Sequence, residues 1–264
     1  MEPLTLAELK ETELNILKTF DKICRKNNLE YSLAFGTMIG AIRHHGFIPW
    51  DDDIDVCMKR DDYEKLLSLK YSDENFEIKN YRYTKGYYYP FSKMVDKNTI
   101  LYEPWRCDTN MGVYIDIFPL DSFDAETVSK QEEIIKKVNI RSTAAYLMGH
   151  KVSHHKQFSL RYFLKALFLI ITMPCKKSII GIVDSFCKNY DNGNYCGSLL
   201  QFYNNPFIKS QFFEKLINVE FEDIEAPVYA EYDAILTHIY GDYMTPPEPD
   251  KQVSNHYFTA YRKK

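Results

Sequence analysis

Apolar positions at 6, 9, 14, 17, 20 and 24 recur at helical spacing and predict an amphipathic helix ending near Asn27-Asn28. Thr5, with Glu8 three residues later, supplies the capping-box signature that opens such a helix. The period then changes. Leu33-Ala34-Phe35 reads as a short strand broken at Gly36-Thr37, Met38 to Arg43 as a short apolar helix, and the stretch through Gly46 and Pro49 as loop. A second strand is expected to begin at Asp53. Alternation along it puts Asp53 and Asp55 on one face and Ile54 and Val56 in the core. Arg60 to Leu69 predicts a helix burying Tyr63, Leu66 and Leu67, and residues 76–103 read as short strands broken at Lys85-Gly86 and Asp96-Lys97-Asn98. Val113 to Phe118 is a β-rich run with one charge, Asp116, in its middle and Pro119 at its end.

Downstream the pattern predicts three helices, over about 126–148, 159–173 and 177–190. The part from Phe163 to Met173 is almost wholly apolar, too short to span a bilayer, and stopped by Pro174. Val219 to Glu222 and Ile224 to Pro227 suggest a hairpin, and a last helix from Tyr229 to Tyr240 ends at Gly241. The residues beyond Pro246-Pro247 are polar and are expected to be loosely ordered.

Charge sharpens this picture in two places. Over the whole chain the net charge is −4, which argues against nucleic acid as a partner. Yet residues 134–183 contain nine Lys and Arg and no Asp or Glu, leaving the remainder near −13. The N-terminal residues are acidic and amphipathic and do not read as a signal peptide. Six cysteines without a C-x-x-C pair read as reduced thiols of a cytoplasmic protein. The second place is the run Asp51-Asp52-Asp53-Ile54-Asp55. Adjacent carboxylates on a rigid strand repel each other, and a hard cation such as Mg2+, or Mn2+ in its place, relieves the repulsion. Asp116, flanked by isoleucines, is an odd choice for a central strand unless it faces the same cation.

Phe35-Gly36-Thr37, Asp53-Ile54-Asp55-Val56 and Ile115-Asp116-Ile117 together resemble the nucleotidyltransferase pattern of a Gly-Ser/Thr turn, an Asp-x-Asp and a later Asp. More narrowly, the stretch from Gly36 to Leu66 is similar to the LicD family, which includes bacterial phosphocholine transferases and is related to fukutin and fukutin-related protein. The likeness continues through Phe91-Ser92-Lys93, Tyr114 to Asp121 and Tyr240 to Met244. It implies an α/β (α+β) fold, with a small mixed sheet flanked by helices. The N-terminal helix would be residues 1–27, the family domain 28–246 with a basic helical insertion at about 126–190, and a polar tail 247–264. It also implies transfer of a substituted phosphate from a CDP-activated donor, such as CDP-choline, to a hydroxyl of a glycan or its lipid-linked precursor. Asp53, Asp55 and Asp116 would then hold metal and carry the chemistry, with Asp51 and Asp52 orienting ligands or a metal-bound water. Gly36 and Thr37 would meet the donor phosphates at a helix N-terminus, and Arg43 and Lys93 would supply further positive charge.

Other readings compete. Asp51, Asp53, Asp55 and Asp62 fall at calcium-loop positions 1, 3, 5 and 12, although Val56 stands where that loop needs glycine. Gly36-Thr37 could be an ordinary turn, Trp50 a core residue rather than a base-stacking one, and His150, His154 and His155 surface residues rather than ligands. A metal-dependent glycosyltransferase also uses Asp-x-Asp, and a catalytically silent metal- or nucleotide-binding protein would retain the same carboxylates. The basic segment 151–177 either solvates a core helix or seats the protein peripherally on the inner face of a membrane.

Overall fold

The N-terminal helix α1 (Leu6–Lys26) opens on the expected capping box. The Thr5 hydroxyl accepts from the Glu8 N–H, and the Glu8 carboxylate accepts from the Thr5 N–H. It buries Leu9, Ile16, Leu17, Phe20, Ile23 and Cys24 and lies across the central strands, while Leu6 stays exposed. Phe20 is fully buried, and truncating such a ring to Ala costs about 3–5 kcal/mol. This computed structural model describes residues 2–87, 89–102, 111–129, 193–198, 207–254 and 258–263, together with Leu164, Leu167, Phe168, Ile171, Thr172, Gly181 and Asp184.

After α1 come β1 (Ser32–Leu33), α2 (Phe35–His44), β2 (Asp55–Lys59) and α3 (Arg60–Ser68), then β3 (Phe76–Lys79), β4 (Ser92–Asp96) and β5 (Thr99–Tyr102). Next are β6 (Tyr114–Phe123), α4 (Ala125–Ser129), β7 (Tyr195–Gly197), β8 (Ile208–Lys209), β9 (Leu216–Phe221), β10 (Ile224–Tyr229), α5 (Tyr232–Tyr240) and β11 (Thr259–Arg262). The main sheet runs β1-β2-β6-β4-β3, with β7 and β8 continuing from the far end of β6. β2 and β6 are parallel, and the other pairings in this sheet are antiparallel. The chain is thus a mixed α/β fold.

Several boundaries differ from expectation. The expected strand 33–35 is shorter: Ala34 caps α2, so Gly36 and Thr37 lie in the first helical turn rather than in a break before it. β2 starts at Asp55, leaving Asp53 in the preceding loop. β6 does not stop at Pro119 but continues to Phe123. The Asp116 N–H points toward β2, so the missing donor of Pro119, three residues on, faces the opposite flank. That flank is paired to β4 through Ile117 and to β7 from Asp121, and Pro119 falls in the gap, where a lost donor is tolerated. Tyr229 ends β10 instead of opening a helix, and α5 begins at Tyr232. The expected loose tail includes β11, which pairs with β5.

Arg60, at the start of α3, is buried and bidentate to Asp121 at 2.7 and 2.8 Å; its remaining nitrogen donates to Asp184 at 2.9 Å. The Tyr81 hydroxyl also donates to Asp184, at 2.7 Å. This network ties Asp184 to α3 and to the end of β6. Leu164, Leu167, Phe168 and Ile171 are helical and exposed, by 40–72%. For these four positions the core reading of the apolar helix does not hold. Most of the three expected helices lies outside the described residues. No helix among the described residues is long and apolar enough to cross a membrane.

Candidate functional site

Strand register brings two of the three predicted carboxylates, Asp55 and Asp116, together. In the parallel β2–β6 pair, Asp55 lies directly opposite Asp116, and in the antiparallel β4–β6 pair Lys93 lies opposite Asp116 on its other side. Partners in register share a face of the sheet. Ile54 and Val56, alternating with Asp55, are fully buried, as are Ile115 and Ile117 around Asp116. The alternation read from sequence is therefore kept for Asp55 and Asp116, while Asp53 reaches the same neighbourhood from the loop.

That loop is held at four points. Asp55 N–H donates to the Thr37 hydroxyl at 2.8 Å, fastening the start of β2 to the first turn of α2. A Cβ on Gly36 would meet Asp51 Oδ2 at 3.0 Å, so the glycine lets that carboxylate approach the N-terminus of α2. Lys10 of α1 donates to the carbonyls of Ile48 and Pro49 at 2.9 and 3.0 Å. Phe47 N–H donates to the Glu222 carboxylate at 3.0 Å, from the turn between β9 and β10. Within the loop, Asp51, Asp52 and Asp53 each offer a carboxylate oxygen within 4.8 Å of the others.

The electrostatics follow from this crowding. Burial pushes the Asp55 carboxyl well above the usual carboxylate range, Asp53 and Asp116 push the same way, and Lys93 opposes them. Lys93, 1% exposed, donates to Asp116 Oδ1. Sequence reasoning missed Glu13. This α1 residue is buried, its Oε2 has no hydrogen-bond partner, and burial followed by Asp53, Asp52 and Asp51 raises its carboxyl well above the ordinary range. The readable signal was a glutamate on the helix face that also carries Leu9, Ile16 and Leu17.

Other predicted residues stand apart. Arg43, near the opposite end of the ten-residue α2 from Gly36, donates to the Tyr243 carbonyl and to His44 Nε2. Trp50 meets His44 edge-on, with ring centroids 6.2 Å apart. The calcium-loop reading fails, because residues 55–59 are strand and Arg60–Ser68 is helix, leaving no twelve-residue loop from Asp51 to Asp62. His150, His154 and His155 lie outside the described residues. Cys24, Cys57 and Cys196 are buried free thiols.

A carboxylate pair locked by strand register, with a lysine opposite and an acidic loop alongside, suits a cation and a phosphate. The chain is 28% identical, over 99% of its own length and 99% of the relative's, to the lipopolysaccharide cholinephosphotransferase LicD of Haemophilus influenzae. An uncharacterised protein of Rickettsia prowazekii is 40% identical over 20% of each chain, and another from Rickettsia typhi is 38% identical over 22% of this chain and 19% of its own. The family described as LicD/FKTN/FKRP, nucleotidyltransferase domain, matches residues 28–163, from the turn before β1 past the Asp116 strand. The chain belongs to the LicD family.

Proposed function

We propose that this protein transfers a substituted phosphate, phosphocholine first among the candidates, from a CDP-activated donor such as CDP-choline. The acceptor in this reading is a hydroxyl of a cell-surface glycan or its lipid-linked precursor. The observation that carries it is the register placing Asp55 and Lys93 on either side of Asp116. The full-length likeness to a cholinephosphotransferase supports the choice of transferred group.

The donor set is all carboxylate oxygen, which fits Mg2+ or Mn2+ better than a softer metal, and the three carboxylates that converge within 4.8 Å are those of Asp51, Asp52 and Asp53. Asp53, Asp55 and Asp116 would hold it, and once bound it would neutralise charge on the transferring phosphoryl group. Asp116 is also suited to accept the proton of the attacking hydroxyl. Lys93 brings positive charge to the donor phosphates from the β4 side. The first turn of α2, at Gly36 and Thr37, offers backbone N–H groups to the same anion, and CMP leaves roughly in line. On this reading the protein works in the cytoplasm, at the inner face of the membrane. The exposed Leu164, Leu167, Phe168 and Ile171, within an acid-free segment, support that placement.

The test is a panel of CDP-choline, CDP-ethanolamine, CDP-glycerol and CDP-ribitol with Mg2+ or Mn2+ and a lipopolysaccharide acceptor, measuring CMP release. Asp116→Asn should bind donor yet turn over about a hundredfold or more slowly, because an amide neither bridges cations as an anion nor takes a proton. Wild-type rates in this variant would remove Asp116 from the chemistry. Release of the free nucleotide from a nucleotide-sugar, with none from any CDP-alcohol, would instead favour a glycosyltransferase.

A further inference from the structure

Lys93 does more than face Asp116: its ammonium lies against rings. It is 3.4 Å from the Tyr114 ring centroid, 4.5 Å from that of Tyr89 and 5.2 Å from that of Phe91. Tyr114 and Phe118 alternate with Ile115 and Ile117 on β6, and so share the sheet face of Asp116. Phe118 packs against Phe91 at a tilt, with centroids 4.4 Å apart, and meets Phe35 edge-on at 5.6 Å. Phe91 continues to Tyr89 at 5.3 Å, and Tyr89 to Tyr87 at 5.6 Å. A continuous aromatic wall thus runs from the N-terminus of α2, past the carboxylates, to the segment before β4. Phe35, Tyr89, Phe91 and Tyr114 are half-buried rather than sealed in the core.

Ring faces attract cations, and the attraction is strongest where water is excluded. A primary ammonium also needs hydrogen-bond acceptors for its three N–H groups. A quaternary ammonium has none to satisfy and a larger, weakly hydrated surface, so it gains more from rings alone. In a phosphocholine group the trimethylammonium sits two carbons from the phosphate ester. A donor whose phosphates reach Lys93 and the Asp55–Asp116 pair therefore carries its ammonium within reach of the same wall, with the anionic phosphate between the two positive charges.

We infer that Tyr89, Phe91 and Phe35 form the recognition surface for the quaternary ammonium of the transferred group. This selects choline over ethanolamine and over uncharged alcohols. The inference rests on the phosphotransfer reading but concerns specificity rather than chemistry.

The experiment measures, by calorimetry on the full-length protein with Mg2+, the affinities of CDP-choline, CDP-ethanolamine, CDP-glycerol and CMP, and follows CMP release alongside. Wild type should bind CDP-choline about tenfold more tightly than CDP-ethanolamine, the scale of one desolvated ring–cation contact. Tyr89→Leu and Phe91→Leu should collapse that ratio toward unity while leaving CMP affinity in place. Tyr89→Phe and Phe91→Tyr, which keep a ring, should retain it and also guard against loss of fold. Equal wild-type affinities for the two CDP-alcohols, or a ratio unchanged in the leucine variants, would overturn the inference. With CMP release intact, either result would leave the phosphotransfer reading standing. Failure to bind any cytidine nucleotide would overturn both. Selective binding of CDP-choline without CMP release in any condition would sustain the recognition surface and overturn the catalytic reading.

Discussion

Asp55 and Glu13 hold protons more tightly in the folded chain than carboxylates ordinarily do, through burial first and neighbouring aspartates second. A group whose folded pKa lies above its unfolded value contributes stability fully below the ordinary carboxylate range and loses it as pH rises through the folded pKa. Without a divalent cation, Glu13→Gln and Asp55→Asn should therefore melt higher than wild type at neutral pH. The advantage should vanish below about pH 4, where unfolded carboxyls are themselves protonated. Thermal melts across that range check it, and a constant difference at every pH would show that charge is not the cause. The placement of Asp116 was legible in the sequence because a lone charge inside an apolar β run is tolerated only where an opposite charge or a bound ion meets it, whereas Lys93 came forward only through the resemblance. Glu13 was not legible, because one polar residue on an amphipathic face is ordinary until the acidic loop is folded against it.

Among the elements, α3 was readable almost to the residue and the β9–β10 hairpin in kind and turn, though β9 begins three residues earlier and β10 runs two residues further than expected. β11 was not, because the strand it pairs with, β5, is far away in the chain and its own residues carry no apolar alternation. Pro119 misled for a related reason: whether a proline ends a strand depends on which flank its nitrogen faces, and register alone decides that. The Arg60–Asp121–Asp184 network makes a prediction at this scale. Asp184 is the first acid after the basic run and is buried, so Asp184→Ala leaves the Arg60 guanidinium short of a partner. Breaking one partner of such a buried pair costs about 3–5 kcal/mol. Urea unfolding should show a loss of that order, and a loss under about 1 kcal/mol would mean that Asp121 and Glu64 together satisfy Arg60.

For the molecule as a whole, charge is segregated: nine cations and no acids over 134–183, with exposed apolar side chains inside the same segment. The protein should co-sediment with phosphatidylglycerol vesicles at low salt and be released at high salt, at about 1 kcal/mol per well-placed Lys or Arg. Replacing Phe168 and Ile171 by Ser should weaken binding even at low salt. Absence of binding there, or indifference to these changes, would place the apolar stripe elsewhere. The clamp on the acidic loop has a consequence in time. Phe47 N–H is held by the Glu222 carboxylate, 175 residues away in the chain, and the Glu222 N–H donates to the His45 carbonyl at 2.9 Å. Contacts of such separation close late, after local helices have formed. On a ribosome the loop bearing Asp51 to Asp53 therefore waits, without its Glu222 clamp, until the hairpin has been synthesised. In pulse-labelled refolding the Phe47 and Glu222 amides should gain protection together, after those of α1. The competence of the site is then scheduled by a hairpin made 175 residues after the loop it clamps.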